Sequence, residues 1–190
     1  MEEGRKMKKN RTSTKMIVLT GMFAAVLAAL SQVQIPMPSG VPVTLQTFAV
    51  ALTGYVLGWK YGLASTAIYT LLGAIGLPVF AGFSGGVGVI AGATGGFIWG
   101  FLFMAALCGY GYSKKRILLG VYSLVGLIIC HLLGVIQFMF LMQMSFAESF
   151  LLVSMPYLLK DVISVVAAYV VAKAIRAGLL AAGFSTVSRA

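Results

Sequence analysis

GLPVFAGFSGGVGVIAGATGGFIWG, the stretch from Gly76 to Gly100, carries no ionisable side chain and so belongs in or against a lipid bilayer. Between Gly82 and Gly96 it holds seven glycines. That is too many for a helix standing alone, because each glycine costs backbone entropy when it is fixed in a helix. Irregular backbone at membrane depth survives only where protein buries it or a cavity hydrates it. The stretch therefore predicts a glycine-softened re-entry loop, with the amides of Gly82, Gly85 and Gly86 turned to a small ligand. A helix packed tightly on a neighbour should follow. Gly88, Gly92, Gly96 and Gly100 recur at every fourth residue, and predict one smooth stripe for helix docking where lipid supplies no hydrophobic drive. Packing alone is the competing explanation for all of these glycines.

The chain around this stretch fixes the class. Its 190 residues are 60% hydrophobic and only 9% charged, with a mean hydropathy of +1.00, against roughly 25% charged residues in a soluble domain. This is the composition of an all-α, multi-pass membrane protein with one membrane domain over 16–176, a basic tail over 1–15 and a C-terminal tail over 177–190. The net charge of +10 does not point to nucleic acid, since no charged residue lies between Lys15 and Lys60 or between Lys60 and Lys114. Basic residues confined to gaps between apolar spans are topology signals. The basic start resembles a signal peptide, but no cleavage-like site follows and the apolar pattern resumes repeatedly. Cys108 and Cys130 both fall inside apolar segments and read as small core residues, with no disulfide or metal site implied.

Six spans follow from the breaks: about Met16–Val33, Thr44–Gly58, Gly62–Leu77, Val87–Tyr112, Ile117–Gln143 and Pro156–Arg176. The second and third are shorter than the ~20 residues of a full crossing, so adjoining loops are expected to dip inward. No repeat of fixed period supports an inverted-repeat transporter. With both termini in the cytoplasm, all but Lys160 of the 14 basic residues become cytoplasmic, as the positive-inside rule requires.

Residues that break the pattern are the site candidates. Asp161 is the only acid inside a predicted span, and Lys160 precedes it; ionisable groups at this depth are costly and suggest binding. Asp161 would accept from a ligand N–H and Lys160 would meet a ligand carboxylate, although adjacent helical positions diverge by about 100°. A mutual ion pair, or snorkelling by Lys160, is the structural alternative. Thr44, Gln46 and Thr47 open the second span and suit a polar, neutral group, or else cap the helix. Phe80, Val79 and Tyr157 supply apolar walls. His131 is the only histidine; without a second ligand at metal spacing it reads as a packed neutral imidazole. On the first span, Ala24 with Ala28, and Gly21 with Ala25 and Ala29, form small-residue faces for helix docking.

IPMPSGVPVTLQTF (Ile35 to Phe48), GLPVFAGFSGGVGVIAGATGGF (Gly76 to Phe97) and the PYLLKD run from Pro156 to Asp161 together resemble the BioY family, the biotin-specific components of energy-coupling-factor transporters. The resemblance runs from the first span to the sixth. It implies a compact six-helix bundle in the bacterial plasma membrane that binds biotin from outside. A transmembrane coupling protein and two ATPase subunits, all separate chains, would drive transport. It also implies that an alanine-x-x-x-alanine face on the first span docks the coupling protein, mapping to Ala24 and Ala28 or to Ala25 and Ala29. The family's last motif commonly reads P-G-D-x-x-K. Here Asp161 matches, Ser164 stands at the lysine position, and Lys160 occupies the usual glycine position.

The chemistry of biotin fits these residues: two ureido N–H groups and a carbonyl need an acceptor in Asp161 and donors from Gln46, Thr44 or the Gly82–Gly86 backbone. No G-x-x-x-x-G-K phosphate loop is present, so energy must come from a partner. No cofactor is expected. The alternatives are a component for another small vitamin, a stand-alone oligomeric facilitator or channel, and an intramembrane enzyme. The last lacks a catalytic constellation.

Overall fold

The computed structural model describes residues 2–184, with side chains from Thr14 onward. The tail cations Arg5, Lys6, Lys8, Lys9, Arg11 and Arg189 lie outside those described side chains. The elements in order are α1 (Glu2–Ser31), a two-stranded hairpin of β1 (Gln34–Ile35) and β2 (Val43–Thr44), α2 (Gln46–Ala74), a 3-10 turn (Ala81–Phe83), α3 (Val87–Ala91), α4 (Gly95–Tyr112), α5 (Arg116–Met142), α6 (Phe146–Val153) and α7 (Met155–Ala181). The hairpin strands are antiparallel, pairing Gln34 with Thr44 and Ile35 with Val43.

Helix α2 is broken at Gly58, whose φ of 76° belongs to the left-handed region that a residue without Cβ enters freely. The chain reverses there. A Cβ on Gly62 would lie 2.9 Å from the Cα of Gly54, and Gln46 Nε2 donates to Tyr69 Oη at 2.8 Å, contacts that a straight helix forbids. The arms 46–57 and 59–74, which lie over the expected second and third spans, therefore pack as an antiparallel pair. The carbonyls left at the end of the first arm are met by Arg176, which donates to Tyr55 O at 2.9 Å and Val56 O at 3.0 Å. Its guanidinium lies 4.4 Å from the Tyr112 ring centroid. A helix end with orphan acceptors favours a cation in this way. Arg176, expected to be a cytoplasmic topology signal, is thus a buried structural cation.

Among the described residues, four helical segments are long and apolar enough to cross a membrane: Thr14–Ser31 of α1, α4, α5 and α7. The outward faces of α5 and α7 carry exposed Ile117, Leu124, Phe140, Ile163 and Val170, as lipid contact requires. The interior is filled by Leu27, Val50, Leu57, Met104 and Ala168, all fully buried, and Tyr55 Oη donates to Ser123 Oγ at 2.7 Å between α2 and α5.

The expected glycine stripe holds only in its second half. Helix α3 stops at Ala91, and Gly92 is extended, with ψ of −170°, so Gly88 and Gly92 do not share a helix face with Gly96 and Gly100. The latter pair do bring α4 against α5: a Cβ on Gly96 would sit 2.1 Å from Leu133 O, and one on Gly100 2.5 Å from Cys130 Cα. The expected fourth span, which began at Val87, is a short helix, a break and then α4.

Outside the long helices, α6 starts at a capping box in which Ser145 Oγ accepts from the Glu148 amide and the Glu148 carboxylate accepts from the Ser145 amide at 2.9 Å. At the other end of the bundle, Lys15 Nζ donates to Gly183 O at 3.3 Å and lies over the Phe184 ring, so the two terminal helices meet there.

Candidate functional site

Pro156 sits in the first turn of α7, where its missing N–H costs nothing, and aims the next turn toward the beginning of α2. Asp161, only 4% exposed, arrives there on the wall of a cavity of about 520 Å³. The cavity is enclosed by the β-hairpin loop, the start of α2, the glycine-rich stretch, α4, α5 and α7, with Phe80, Phe97, Ile98 and Phe101 as apolar walls.

The Asp161 carboxylate is held from two sides. His131 Nε2 of α5 lies 3.2 Å from Oδ2, and the Lys160 ammonium meets Oδ1. Lys160 Nζ also donates to Thr44 O at 3.0 Å. The two adjacent side chains therefore converge: the lysine stem curls back, and the expected divergence of about 100° at the backbone is undone by its length. Thr47 lies beside the same carboxylate. From Thr44 the polar chain continues, with the Thr44 hydroxyl donating to Gln46 Oε1 at 3.0 Å and Gln46 Nε2 reaching Tyr69. Among the described residues, Asp161 and Lys160 are the only Asp, Glu, Lys or Arg on the wall, so with a neutral His131 their formal charges cancel. A buried carboxylate tolerates low dielectric only when paired and hydrogen-bonded, as here.

Tyr157, one turn before Asp161, donates to Val41 O at 2.5 Å and lies 3.1 Å from Ser39 Oγ, fastening the first loop over α7. Phe80, 1% exposed, packs edge-on against Tyr69 with centroids 5.5 Å apart, so the glycine stretch enters the wall through an aromatic side chain. Asp161, Lys160, Thr44, Gln46, Phe80 and Tyr157 are thus brought together around one cavity.

Gly82, Gly85 and Gly86 are not on its wall, which corrects the expectation that their amides face a ligand. A Cβ on Gly82 would meet the Gln34 side chain at 2.7 Å, and one on Gly85 would meet Leu77 O at 2.3 Å. The Gly86 amide donates to Gly73 O at 2.7 Å. The loop is pinned to α1 instead: the Phe83 amide donates to Gln32 Oε1 at 2.8 Å and Ser31 Oγ donates to Val79 O at 2.5 Å. The amides of Phe80, Phe83 and Gly86 are thus met by protein, as a loop at this depth requires. The glycines that do reach the wall are Gly40, Gly88 and Gly92.

On α1 the two small-residue faces separate. Ala24 is buried and Ala28 packs against the core, so that pair is not open for docking; Gly21, Ala25 and Ala29 are exposed. His131 is the site residue the sequence reading missed. Its location in an apolar helix hides it, and the one available signal was that a lone intramembrane acid needs a donor at its own depth. Phe97 and Phe101 carry no signal beyond apolarity.

The model of the BioY family matches residues 6–181. The probable biotin transporter BioY of Pyrococcus horikoshii is 39% identical over 84% of this chain and 94% of its own length. The biotin transporter BioY of Rhizobium etli is 33% identical over 87% of this chain and 95% of its own. A crystal structure of the S-component for biotin from an ECF-type ABC transporter superposes with a TM-score of 0.78 at 28% identity, covering 88% of this chain and 93% of that one.

Proposed function

The chain belongs to the BioY family, and on that premise we propose that it captures biotin at the outer face of the plasma membrane as the substrate-binding component of an energy-coupling-factor importer. It is a multi-pass transporter component and not an enzyme. The observation that carries the ligand assignment is the charge-cancelled wall of Asp161 and Lys160, 4% exposed at the aspartate, in a cavity of about 520 Å³. A neutral ureido ring offers N–H donors for Asp161 and a carbonyl for Lys160, whereas a ligand carboxylate at that wall would face the aspartate. The thioether ring then lies among Phe80, Phe97 and Phe101, and the anionic valerate points to the mouth.

The six-span reading rests on four full-length helices and the two arms of α2. Both termini are cytoplasmic in this reading, consistent with Lys15 meeting Gly183 at one end and with the distribution of basic residues. The transmembrane coupling protein docks on the exposed Gly21, Ala25 and Ala29 face of α1, and two separate ATPases drive the cycle.

Titration calorimetry on the purified chain tests the assignment. Biotin binds at one per chain, and Asp161→Asn weakens it by at least about 1.5 kcal/mol, the scale of a hydrogen bond to a charged group. Unchanged affinity in the variant removes Asp161 from the site.

A further inference from the structure

His131 stands on the ligand wall with Ser154 behind it, and their geometry goes beyond ligand contact. His131, 5% exposed, is held between Asp161 Oδ2, 3.2 Å from Nε2, and Ser154 Oγ, 2.8 Å from Nδ1, with its ring edge-on to Phe97. Ser154 is fully buried at the junction of α6 and α7. Its backbone joins the two helices, its amide donating to Phe150 O and its carbonyl accepting from the amides of Tyr157 and Leu158. The hydroxyl is left for the imidazole.

These contacts select one tautomer. With the proton on Nδ1, the Nε2 lone pair would face a carboxylate oxygen at 3.2 Å in a low-dielectric interior, acceptor against acceptor. With the proton on Nε2, the ring donates to Asp161 and the Ser154 hydroxyl donates to Nδ1, so both ring nitrogens are satisfied. A second proton would add a positive charge beside Lys160, leaving the wall with a net charge.

We propose that Ser154 and His131 are positioning residues: the serine fixes the Nε2–H tautomer, and the imidazole then orients the Asp161 carboxylate toward the ligand's N–H groups. The arrangement resembles the outer ligand shell of a metal site, in which a second hydrogen bond fixes the tautomer and ring orientation of a histidine, with a carboxylate in place of the metal. It rests on the biotin reading for its effect on affinity, but not for the tautomer.

The chain has one histidine, so nitrogen-15 histidine labelling of the full protein in lipid nanodiscs yields a single imidazole. The expected spectrum is a neutral ring protonated at Nε2, which moves toward a tautomer mixture in Ser154→Ala. An Nδ1–H ring or an imidazolium at neutral pH overturns the proposal, whether or not biotin binds. In calorimetry, His131→Leu weakens biotin binding about tenfold or more, the loss expected for a hydrogen bond to a charged acceptor. His131→Gln, which keeps an N–H near the Nε2 position, recovers most of that affinity, as a purely packed ring would not. In an Asp161→Asn background the Leu substitution costs less than about threefold, because the two residues act as one unit. Equal losses in both backgrounds overturn the proposal. Wild-type protein that ignores biotin while showing the Nε2–H ring refutes the ligand assignment and leaves the tautomer selection standing.

Discussion

Replacing Lys160 with methionine tests the idea that the wall works by charge cancellation. In the native site the ammonium meets Asp161 and donates to Thr44 O at 3.0 Å, with the lysine side chain 29% exposed and the aspartate 6%. Removing one partner of a fully buried pair costs about 3–5 kcal/mol, while exposed pairs are worth about 0.2–1 kcal/mol. The partial exposure of Lys160 places the loss between these, at about 2 kcal/mol. Methionine keeps the apolar stem, so little of the loss is packing. The combined Lys160→Met and Asp161→Asn variant then recovers stability over the single one, because the orphaned charge has gone along with its partner. Its biotin binding does not recover: without both charged contacts to the headgroup it falls about a hundredfold. Thermal unfolding in one detergent gives the stability series and calorimetry gives the affinities. A single Lys160→Met variant as stable as wild type, or a double variant weaker than the single, refutes the reasoning.

On α1, Ala25→Trp leaves folding and biotin binding intact and abolishes co-purification of the coupling protein, whereas Ala24→Trp overpacks the core by about 1–3 kcal/mol and lowers the unfolding temperature. Co-purification that survives Ala25→Trp moves the docking face elsewhere. Gly96→Leu prevents α4 from seating on α5, since even a Cβ would sit 2.1 Å from Leu133 O, and the loss of a monodisperse elution peak reports it. At the capping box, Ser145 holds the Glu148 carboxyl below its ordinary value of 4.5. Its contribution is therefore complete above that value and disappears as pH falls through the lowered one. Protease nicking between α5 and α6 should increase over that acid range in wild type and not in Glu148→Gln.

The fold was legible where chemistry punctuates the sequence. Charge-free intervals between Lys15, Lys60 and Lys114 located the apolar helices, and the break between the expected second and third spans fell at the reversal that Gly58 makes by entering positive φ. What sequence could not resolve was where glycine serves a close approach and where it breaks a helix. Gly88, Gly92, Gly96 and Gly100 have identical spacing, yet only the last two meet the backbone of another helix, and Gly92 meets only that of its own preceding turn. The difference is set by which surface of α5 stands opposite, and that is a tertiary fact. The same holds for α1, where Ala24 and Ala25 are equivalent as letters and become inner and outer only once α2 is packed on one side.

The site follows the same division. Asp161 was visible because a lone acid in an apolar span demands a reason, and Thr44 and Gln46 because polar side chains one turn below a loop do so more weakly. His131 gave no such signal, since a solitary imidazole in a helix is satisfied by many kinds of neighbour. Its meaning depends on Ser154, 23 residues away, and on Asp161, about two helix turns beyond that, which no spacing rule connects. The loop glycines misled for a related reason. A segment rich in bare amides at membrane depth needs partners, and whether these come from a ligand or from Gln32, Gly73 and Ser84 is decided by where α1 ends. Here Ser31 and Gln32 end beside Val79 and Phe80, so the loop is held by protein and the cavity receives from it the Phe80 ring rather than the amides of Gly82, Gly85 and Gly86.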